Sequence, residues 1–373
     1  MKDVERLRVL YKGEIVGHLA QYSSYQTSFS YTREWLAHGF SLNPYSLPLE
    51  DKIFVAKPEP FDGLHGVFAD SLPDGWGRLL VDRMLLKKQK NPRALSPLTR
   101  LAIVGSTGMG ALTYYPEQEL ASSPLQTDLD LLAQQCAQLL HNDYTDNLEQ
   151  LFQLGGSSGG ARPKILTTIE GEEWIIKFPA TADNKNIGLQ EYAYSLCAKA
   201  CGIEMTETRL FPSQLGPGYF GTRRFDRDSM GQGIHMVSVS GLLETSHRLP
   251  NLDYHILFQL ALSLTKNYQE LEKLYKLMCF NVFAHNRDDH SKNFTFLYNH
   301  QQKKWQLSPA YDLTYSYSLG GEHATTVNGN GQNPALKDLL AVAKKAGLDC
   351  YKAKETALAI QEQVNKDLYM YLK

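Results

Sequence analysis

The chain has 373 residues and a formal net charge of −2, with 43% hydrophobic and 21% charged residues. These proportions exclude an intrinsically disordered chain. The nearly balanced charge excludes a global basic field for nucleic acids, although a local basic patch stays open. The length favours two or three domains over one.

Residues 1–118 are predicted to form a small α+β subdomain. Residues 6–20 alternate apolar and polar side chains around Lys12-Gly13, which predicts a β-hairpin. Strand-like pieces recur at TSFSY, at DKIFVA and in VGSTGMGALTYYP, and FADSLPDGWGRLLVDRMLLKK begins with turn residues and continues as an amphipathic helix. The polar stretch PEQELASSPLQTD is predicted to be a linker.

The rest of the chain is predicted to form two further domains, residues 119–235 and 236–373. The first contains two helices, a loop of glycine and serine, two antiparallel strands, a helix ended by Gly202, and more strands. The second is mostly helical. Together these elements predict an α+β protein.

Nothing in the sequence indicates export or a membrane. The N-terminus lacks the apolar run of a signal peptide, no stretch of 18 apolar residues occurs, and the five cysteines are scattered and odd in number. We therefore expect a cytoplasmic protein with reduced thiols and no membrane contact.

The segment GGSSGGARPK, from Gly155 to Lys164, stands before a predicted strand. Its glycines let the backbone approach a ligand, and successive N–H groups can cradle phosphate oxygens. It is not a Walker A loop, because no Gly-Lys-Ser/Thr follows at the required spacing. Taken alone, such a loop is more often a flexible turn, so both interpretations stay open.

Lys177 ends the apolar strand in EEWIIKFPA, and Glu191 lies on the next helix, where we expect it within an otherwise apolar face of Leu189, Tyr192 and Leu196. Either charge alone is most often solvated. In protein kinases, however, a strand lysine contacts the nucleotide phosphates and is held by a helix glutamate. The order of glycine loop, strand lysine and helix glutamate favours this role.

The segment HNRDDHSKNF, residues 285–294, places Asp288 and Asn293 in the D-x-x-x-x-N spacing of a kinase catalytic loop. Asp312 follows in LSPAYDLTYS. Phosphoryl transfer needs a base, hard oxygen ligands for Mg²⁺ and a cation near the phosphates. These three residues and Lys177 supply that set.

Three alternatives apply to the same segment. His285, Asp289 and His290 are zinc-ligand types, but a further spaced ligand and the zincin helix pattern are missing. An EF-hand is excluded because glycine and glutamate do not stand at its required positions. The third is a polar turn with only a structural role, which the kinase order of the other motifs disfavours.

These motifs resemble the HipA family of bacterial serine/threonine kinases, the toxins of type II toxin–antitoxin modules. FADSLPDGWGRLLVDR is similar to the family's N-terminal subdomain, and GGSSGGARPK, IIKFP, TRRFDR, NRDDHSKNF and LSPAYDL stand in the order of its kinase core. The resemblance covers nearly the whole chain. It implies a protein-kinase-like two-lobed fold with a small N-terminal α/β subdomain (1–118), a kinase N-lobe (119–235) and a mostly helical C-lobe (236–373).

By position, the resemblance implies that Asp288 is the catalytic base and that Asn293 and Asp312 bind Mg²⁺. Asp289 is then expected to shape the loop, and His285 to be structural. The implied ATP-binding residues are Ser157, Ser158, Gly159, Gly160, Lys177, Glu191, Phe225 and His290.

Two features of the nucleotide site follow from the same resemblance. Arg223 stands where some members have a glutamate, so adenine recognition there is expected to rely on backbone groups. Family members autophosphorylate a serine of the glycine loop, which ejects the loop and inactivates the kinase. This implies phosphorylation of Ser157, with Ser158 as second choice. That Ser157 is simply a small loop residue stays open.

The resemblance implies two kinds of partner. One is a HipB-like helix-turn-helix antitoxin, through which this chain would meet operator DNA only indirectly. The other is an aminoacyl-tRNA synthetase substrate, with glutamyl-tRNA synthetase expected first, whose phosphorylation leads to growth arrest and persistence. Two rival functions remain: a catalytically silent corepressor and a kinase of small molecules.

Overall fold

The protein is described by a computed structural model that covers residues 3–120, 128–141 and 147–372. The chain divides into two compact units. Unit 1 is Met1–Gly188, Arg209–Val237 and Gly241–Glu244, and unit 2 is Leu189–Thr208, Ser238–Ser240 and Thr245–Lys373. Unit 1 thus contains the predicted N-terminal subdomain and most of the predicted N-lobe. The boundary at residue 118 stays a prediction, and part of the predicted linker, residues 121–127, lies outside the described residues.

Unit 1 begins with an antiparallel sheet and four helices. The elements are β1 (Arg6–Tyr11), β2 (Glu14–Ser23), β3 (Gln26–Tyr31), α1 (Arg33–His38), β4 (Phe54–Val55), α2 (Gly66–Ala69), α3 (Gly75–Lys87), α4 (Pro97–Val104) and β5 (Leu112–Tyr115). The strand order is β4-β3-β2-β1-β5. Lys12 and Gly13 have φ of 49° and 83°, as a two-residue turn with both φ positive requires, so the predicted hairpin is confirmed.

The second part of unit 1 is built on a sheet of order β6-β7-β9-β8. Its elements and their neighbours are α5 (Leu129–Leu140), α6 (Leu148–Gly155), β6 (Lys164–Ile169), β7 (Glu172–Lys177), α7 (Ile187–Ala200), β8 (Thr208–Phe211), β9 (Tyr219–Arg223) and β10 (Met236–Ser238). The predicted antiparallel pair is β6 and β7. One hydrophobic core joins α3, α5 and α6 to this sheet, with Trp76, Leu132, Leu151 and Trp174 among its buried members.

Unit 2 is mostly helical, as predicted. Its remaining elements, with α8 shared between the units, are α8 (Val239–Leu243), β11 (Leu252–Asp253), α9 (Tyr254–Thr265), α10 (Tyr268–Phe283), β12 (Thr295–Asn299), β13 (Lys304–Leu307), β14 (Thr325–Thr326), α11 (Leu336–Lys345) and α12 (Cys350–Asp367). Helix α10 packs against α9 and α12. Its buried Leu271, Leu274 and Met278 recur at three- to four-residue spacing. Strands β12 and β13 form an antiparallel hairpin, and β11 pairs with β14 in parallel.

The described residues bear on two features discussed from the sequence, membrane-spanning segments and the cysteines. No helix there is long and apolar enough to cross a membrane. All five cysteines lie in that part as free thiols, and Cys136, Cys197 and Cys279 are buried.

Candidate active site

In unit 2, the predicted base and the first predicted metal ligand are joined by a hydrogen bond. Asn293 Nδ2 donates to the main-chain oxygen of Asp288 at 2.7 Å. The Asn293 main-chain N–H donates to the oxygen of His290 at 2.8 Å. With the amide nitrogen used, the amide oxygen of Asn293 is the atom that can ligate a cation. The Asp288 side chain is 63% exposed, so its carboxylate is open to a substrate.

The neighbouring Asp289 is buried and bonded on every side. Its Oδ2 accepts from the Tyr254 hydroxyl at 3.0 Å and lies 3.0 Å from His323 Nδ1. Its Oδ1 accepts from the Thr325 N–H at 3.1 Å, and its main-chain oxygen accepts from Thr325 Oγ1 at 2.6 Å. These bonds anchor the loop to α9 and β14, which is the loop-shaping role expected from the sequence.

The anchor continues into helix α10 through Tyr254. Burial, and next the charge of Asp289, raise the pKa of Tyr254 well above its ordinary value, so the hydroxyl keeps its proton and donates it. The same hydroxyl accepts from Asn281 Nδ2 at 2.9 Å, and Asn281 Oδ1 accepts from Asn286 Nδ2 at 2.9 Å. Buried hydrogen bonds of this kind hold the three side chains in one arrangement.

After the β12–β13 hairpin, Asp312 follows a segment that is hydrogen-bonded to the predicted catalytic loop, residues 285–294, and to the strand after it. The Ser308 N–H donates to the Thr295 oxygen at 2.9 Å. The hydroxyl of Tyr311, next to Asp312, donates to the oxygen of Lys292, next to Asn293, at 2.6 Å. Asp312 has φ of 53°, a conformation that non-glycine residues adopt rarely and that clusters at functional sites.

The two histidines of the loop have different surroundings. His290 Nδ1 accepts from the Lys292 N–H at 3.2 Å, so the neutral ring carries its proton on Nε2, which lies 3.8 Å from Asp288 Oδ1. His285 stacks on Tyr315 with ring centroids 6.0 Å apart. Burial, and then the charge of Arg287, lower the pKa of His285, so the neutral ring predominates at pH 7.

The geometry does not support the zinc alternative. Among the described residues, no three or more histidine, cysteine, aspartate or glutamate side chains are grouped to hold a metal. Asp289 is instead bonded to Tyr254 and Thr325, and His285 Nδ1 lies 3.2 Å from the Arg287 guanidinium.

In unit 1, the glycine loop is held by the N-terminus of α3. The loop follows α6, which ends at Gly155, and leads into β6 at Lys164. The Trp76 N–H, one of the first N–H groups of α3, donates to the Gly160 oxygen at 2.9 Å, and Trp76 Nε1 donates to the Lys164 oxygen at 3.1 Å. Asp74 does not cap its own helix; its side chain accepts from the Gly160 N–H.

This contact leaves no room for a side chain at Gly75 or Gly77. A Cβ on Gly77 would lie 2.2 Å from the Ser158 main-chain oxygen. Ser157 and Ser158 are both buried, and Ser158 Oγ donates to the Gly155 oxygen at 2.6 Å. The loop is therefore packed inward with both serines shielded.

Lys177 and Phe225 also belong to unit 1. Lys177 ends β7 opposite Lys164, and its Nζ lies 5.5 Å from the centroid of the Phe220 ring. Phe225 is half-buried just after β9. Arg223, which stands where some family members have a glutamate, forms a surface ion pair with Glu172 at 2.7 Å.

A buried charge cluster fixes the backbone around Phe225. Asp226 Oδ2 lies 2.7 Å from Arg224 Nη2 and 2.8 Å from Arg227 Nη1, and it accepts from the Gly110 N–H at 2.7 Å. Complete burial alone would raise the pKa of Asp226, but the two guanidinium groups outweigh it and hold that pKa below its ordinary value. The carboxylate therefore stays ionised and binds the turn at Gly110.

The predicted orientation of α7 is wrong. Leu189 and Leu196 are 36% and 47% exposed, whereas Glu191 is 3% exposed, on the face of buried Tyr194 and Ala198. The set Leu189 and Leu196 and the set Glu191, Tyr194 and Ala198 both repeat at helical spacing, so periodicity alone could not predict which side of the helix is buried. Glu191 is thus a buried carboxyl group, a stronger candidate for a functional group than a solvated one.

Comparison with protein families adds a decisive observation. Residues 156–368 match the model of the HipA-like C-terminal domain, and residues 7–115 match that of the HipA N-terminal domain. The chain belongs to the HipA family. A HipA-family identity accounts for the order of motifs along the sequence.

Two known proteins show how far the HipA-family resemblance extends. The curated protein named "Putative kinase Y4mE" of Sinorhizobium fredii is 26% identical over 350 residues, covering 83% of this chain and 77% of its own. A chain of the solved Shewanella oneidensis toxin–antitoxin complex of HipA, HipB and operator DNA superposes with a TM-score of 0.70 at 16% identity, covering 96% of this chain and 88% of that one. The α+β, kinase-like HipA fold is therefore confirmed.

Within the HipA family framework, all predicted site residues lie in the C-terminal domain, residues 156–368. Unit 2 contains the residues of the predicted catalytic loop, Asp312 and Glu191, and unit 1 contains the glycine loop, Lys177 and Phe225. The sequence analysis did not predict that Asp74 and Trp76, from the HipA N-terminal domain, hold the glycine loop. The two glycines of the DGWG segment, residues 74–77, could have indicated this contact, because glycine often marks a close approach of two backbones.

Proposed function

We propose that this HipA-family chain is an ATP- and Mg²⁺-dependent serine/threonine protein kinase. The observation that carries the proposal is the pair of adjacent aspartates in the catalytic loop. Asp288 is exposed, while Asp289 and the bond from Asn293 Nδ2 to the Asp288 oxygen, 2.7 Å long, hold the loop. A general base must be accessible to the substrate and must be held in position by the surrounding structure.

The donor set supports Mg²⁺ as the metal. The Asp312 carboxylate and the Asn293 amide oxygen are hard oxygen ligands, and Mg²⁺ usually takes one or two protein ligands and keeps water and phosphate oxygens. Bound Mg²⁺ and ATP would supply the phosphoryl group and neutralise its charge.

Each predicted site residue has its own role in this proposal. Asp288 would accept the proton of the substrate hydroxyl, and Lys177 would bind nucleotide phosphates, with Glu191 as its orienting partner. Phe225 and His290 would contact the nucleotide. The residues of the glycine loop that would line the phosphates are Ser157, Ser158, Gly159 and Gly160.

The biological role that we propose is that of a toxin in the cytoplasm. Support comes from the solved relative, which belongs to a complex of HipA, HipB and operator DNA. The proposed partner is accordingly a HipB-like antitoxin, with operator DNA contacted through it. An aminoacyl-tRNA synthetase, glutamyl-tRNA synthetase first, is the proposed substrate, and this rests on the family resemblance alone.

The test is phosphate transfer from radiolabelled ATP by the purified protein, to itself and to proteins of a cell extract. Asp288→Asn should abolish labelling and leave ATP binding within several-fold, because it removes the base and keeps the shape. Asp51→Asn, a change at an exposed aspartate of unit 1, is the matched control and should label like the wild type.

Three results would argue against the proposal. Wild-type labelling by Asp288→Asn would remove Asp288 as the base. Absence of any labelling by the wild-type protein would favour a silent corepressor. Labelling confined to metabolites would favour a small-molecule kinase.

A further inference from the structure

The outer face of the N-terminal sheet carries a cavity that the proposed kinase activity does not use. Its volume is about 580 Å³, within the range of ligand sites. The cavity lies wholly in unit 1. Its principal polar lining residues are Arg6, Arg8, His18, Ser28, Ser30 and Tyr115.

Strand register places these side chains in two rows that run across the sheet. Members of a row stand directly opposite one another on neighbouring strands. The first row, from β5 to β3, is Tyr115, Arg8, His18 and Ser30. The second row, from β1 to β4, is Arg6, Ala20, Ser28 and Val55. The residues between the two rows, Leu7 on β1, Leu19 on β2 and Phe29 on β3, are buried, so both rows share the outer face.

This face is locally basic in a chain whose net charge is −2. Arg6 and Arg8 are exposed, and among the described residues neither takes part in an ion pair. No residue lining the cavity in this part of the chain is acidic. The Arg8 guanidinium lies 4.4 Å above the ring of Tyr115, which is itself 51% exposed.

The shape of the face restricts the ligand. From Tyr115 at the end of β5 to Ile53 just before β4, the groove crosses five strands, a path of about 19 Å at the usual spacing between strands. That length exceeds one nucleotide. A flat sheet face cannot enter a duplex groove, which takes a protruding helix or ribbon, whereas single strands lie along sheet faces that combine cations with exposed rings.

We propose that this face, the N-terminal sheet groove, binds single-stranded nucleic acid. Arg6 and Arg8 would contact phosphates, and Tyr115 would stack with a base at one end of the groove. The hydroxyls of Ser28 and Ser30 would bond to sugar or base atoms. The proposal does not rest on the kinase activity.

The experiment measures fluorescence anisotropy of a labelled oligouridylate with the full chain. Arg6→Gln and Arg8→Gln should each raise Kd by about tenfold, the usual effect of losing one charged hydrogen bond. The slope of log Kd against log salt should fall by about 0.7 for each lost phosphate contact. Arg33→Gln, at an exposed residue of α1 outside the cavity, is the matched control and should leave Kd unchanged.

Several outcomes would overturn the proposal. They are no binding by the wild type, equal affinity in all three glutamine variants, equal affinity for a duplex of the same length, and displacement of the oligouridylate by polyglutamate at equal charge. The last would assign the groove to an acidic polypeptide. Circular dichroism checks folding. Among the described residues only Arg8, and not Arg6, lies over a ring of this face, so Arg6→Gln stays informative even if Arg8→Gln lowers Tm.

Discussion

At the residue scale, Asp288 and Asp289 show how adjacent identical side chains take different roles. The Asp288 carboxylate is 63% exposed, whereas Asp289 is buried among Tyr254, His323 and Thr325. Side chains of neighbouring residues in an extended loop point in opposite directions, so one faces solvent when the other faces the core. The proposed base and the residue that anchors the loop are therefore adjacent in the chain.

The two aspartates should respond differently to the same substitution. Asp289→Ala should lower the free energy of unfolding by about 3 kcal/mol, because the buried Tyr254 hydroxyl and Thr325 N–H lose their acceptors. Asp288→Ala should change it by no more than about 0.5 kcal/mol, as surface substitutions do, and should abolish phosphate transfer. Urea unfolding followed by tryptophan fluorescence measures both. Equal losses of stability would contradict the assignment.

At the scale of elements, the glycine loop and helix α3 form one structural device. The sequence left open whether the loop is a flexible turn. The structure has the Gly160 oxygen bonded to the Trp76 N–H at 2.9 Å and the Gly160 N–H bonded to Asp74. Ser157 and Ser158 are buried in this arrangement, so a kinase could reach either hydroxyl only after the loop moves.

If the loop is autophosphorylated, as the family resemblance implies, Ser157 is the expected site. The Ser158 hydroxyl already donates to the Gly155 oxygen at 2.6 Å, which leaves it less available. Ser157→Ala should reduce phosphate on the loop to background, and Ser158→Ala should leave it close to the wild-type amount. Mass spectrometry of protein incubated with ATP measures this. Phosphate found only outside the loop would show that the assignment is wrong.

The elements also show the limit of periodicity. The hairpins at Lys12-Gly13 and Glu170-Gly171 follow from the alternation of the flanking strands and from a glycine in each turn that accepts positive φ, and both pairs of strands were predictable. The buried face of α7 was not. Leu189 and Leu196 are exposed although they repeat like a core stripe, because burial depends on what packs against the helix.

At the scale of the whole molecule, buried titratable groups set the dependence of stability on pH. His235 is completely buried, with Nε2 2.9 Å from the Leu42 oxygen. Burial lowers its pKa to about 4. The unfolded chain, in which the pKa is near 6.5, therefore binds more protons between these values, and stability falls as the pH falls.

Because of this histidine, the free energy of unfolding of the wild type should fall by about 3 kcal/mol between pH 6.5 and pH 4 and should be at its full value above pH 6.5. His235→Gln keeps a donor for Leu42 and should flatten the profile in this window. The pKa of Asp226 is lowered, so the stability that its ionised carboxylate contributes is lost only below the ordinary pH range of carboxylate titration. Urea unfolding at a series of pH values gives the difference between the two proteins. Parallel profiles would contradict the role of His235.

The sequence by itself determined the types of element, the HipA-family motifs and the candidate base and metal ligands, because local dihedral preference, periodicity and D-x-x-x-x-N spacing are properties of short segments. Only the tertiary structure decided which of two aspartates is exposed, which face of α7 is buried and which helix holds the glycine loop. Asp74 and Gly160 are 86 residues apart, and the rows of the N-terminal sheet groove come from separate strands. Burial and pairing arise from contacts between residues distant in the chain, which no local pattern encodes.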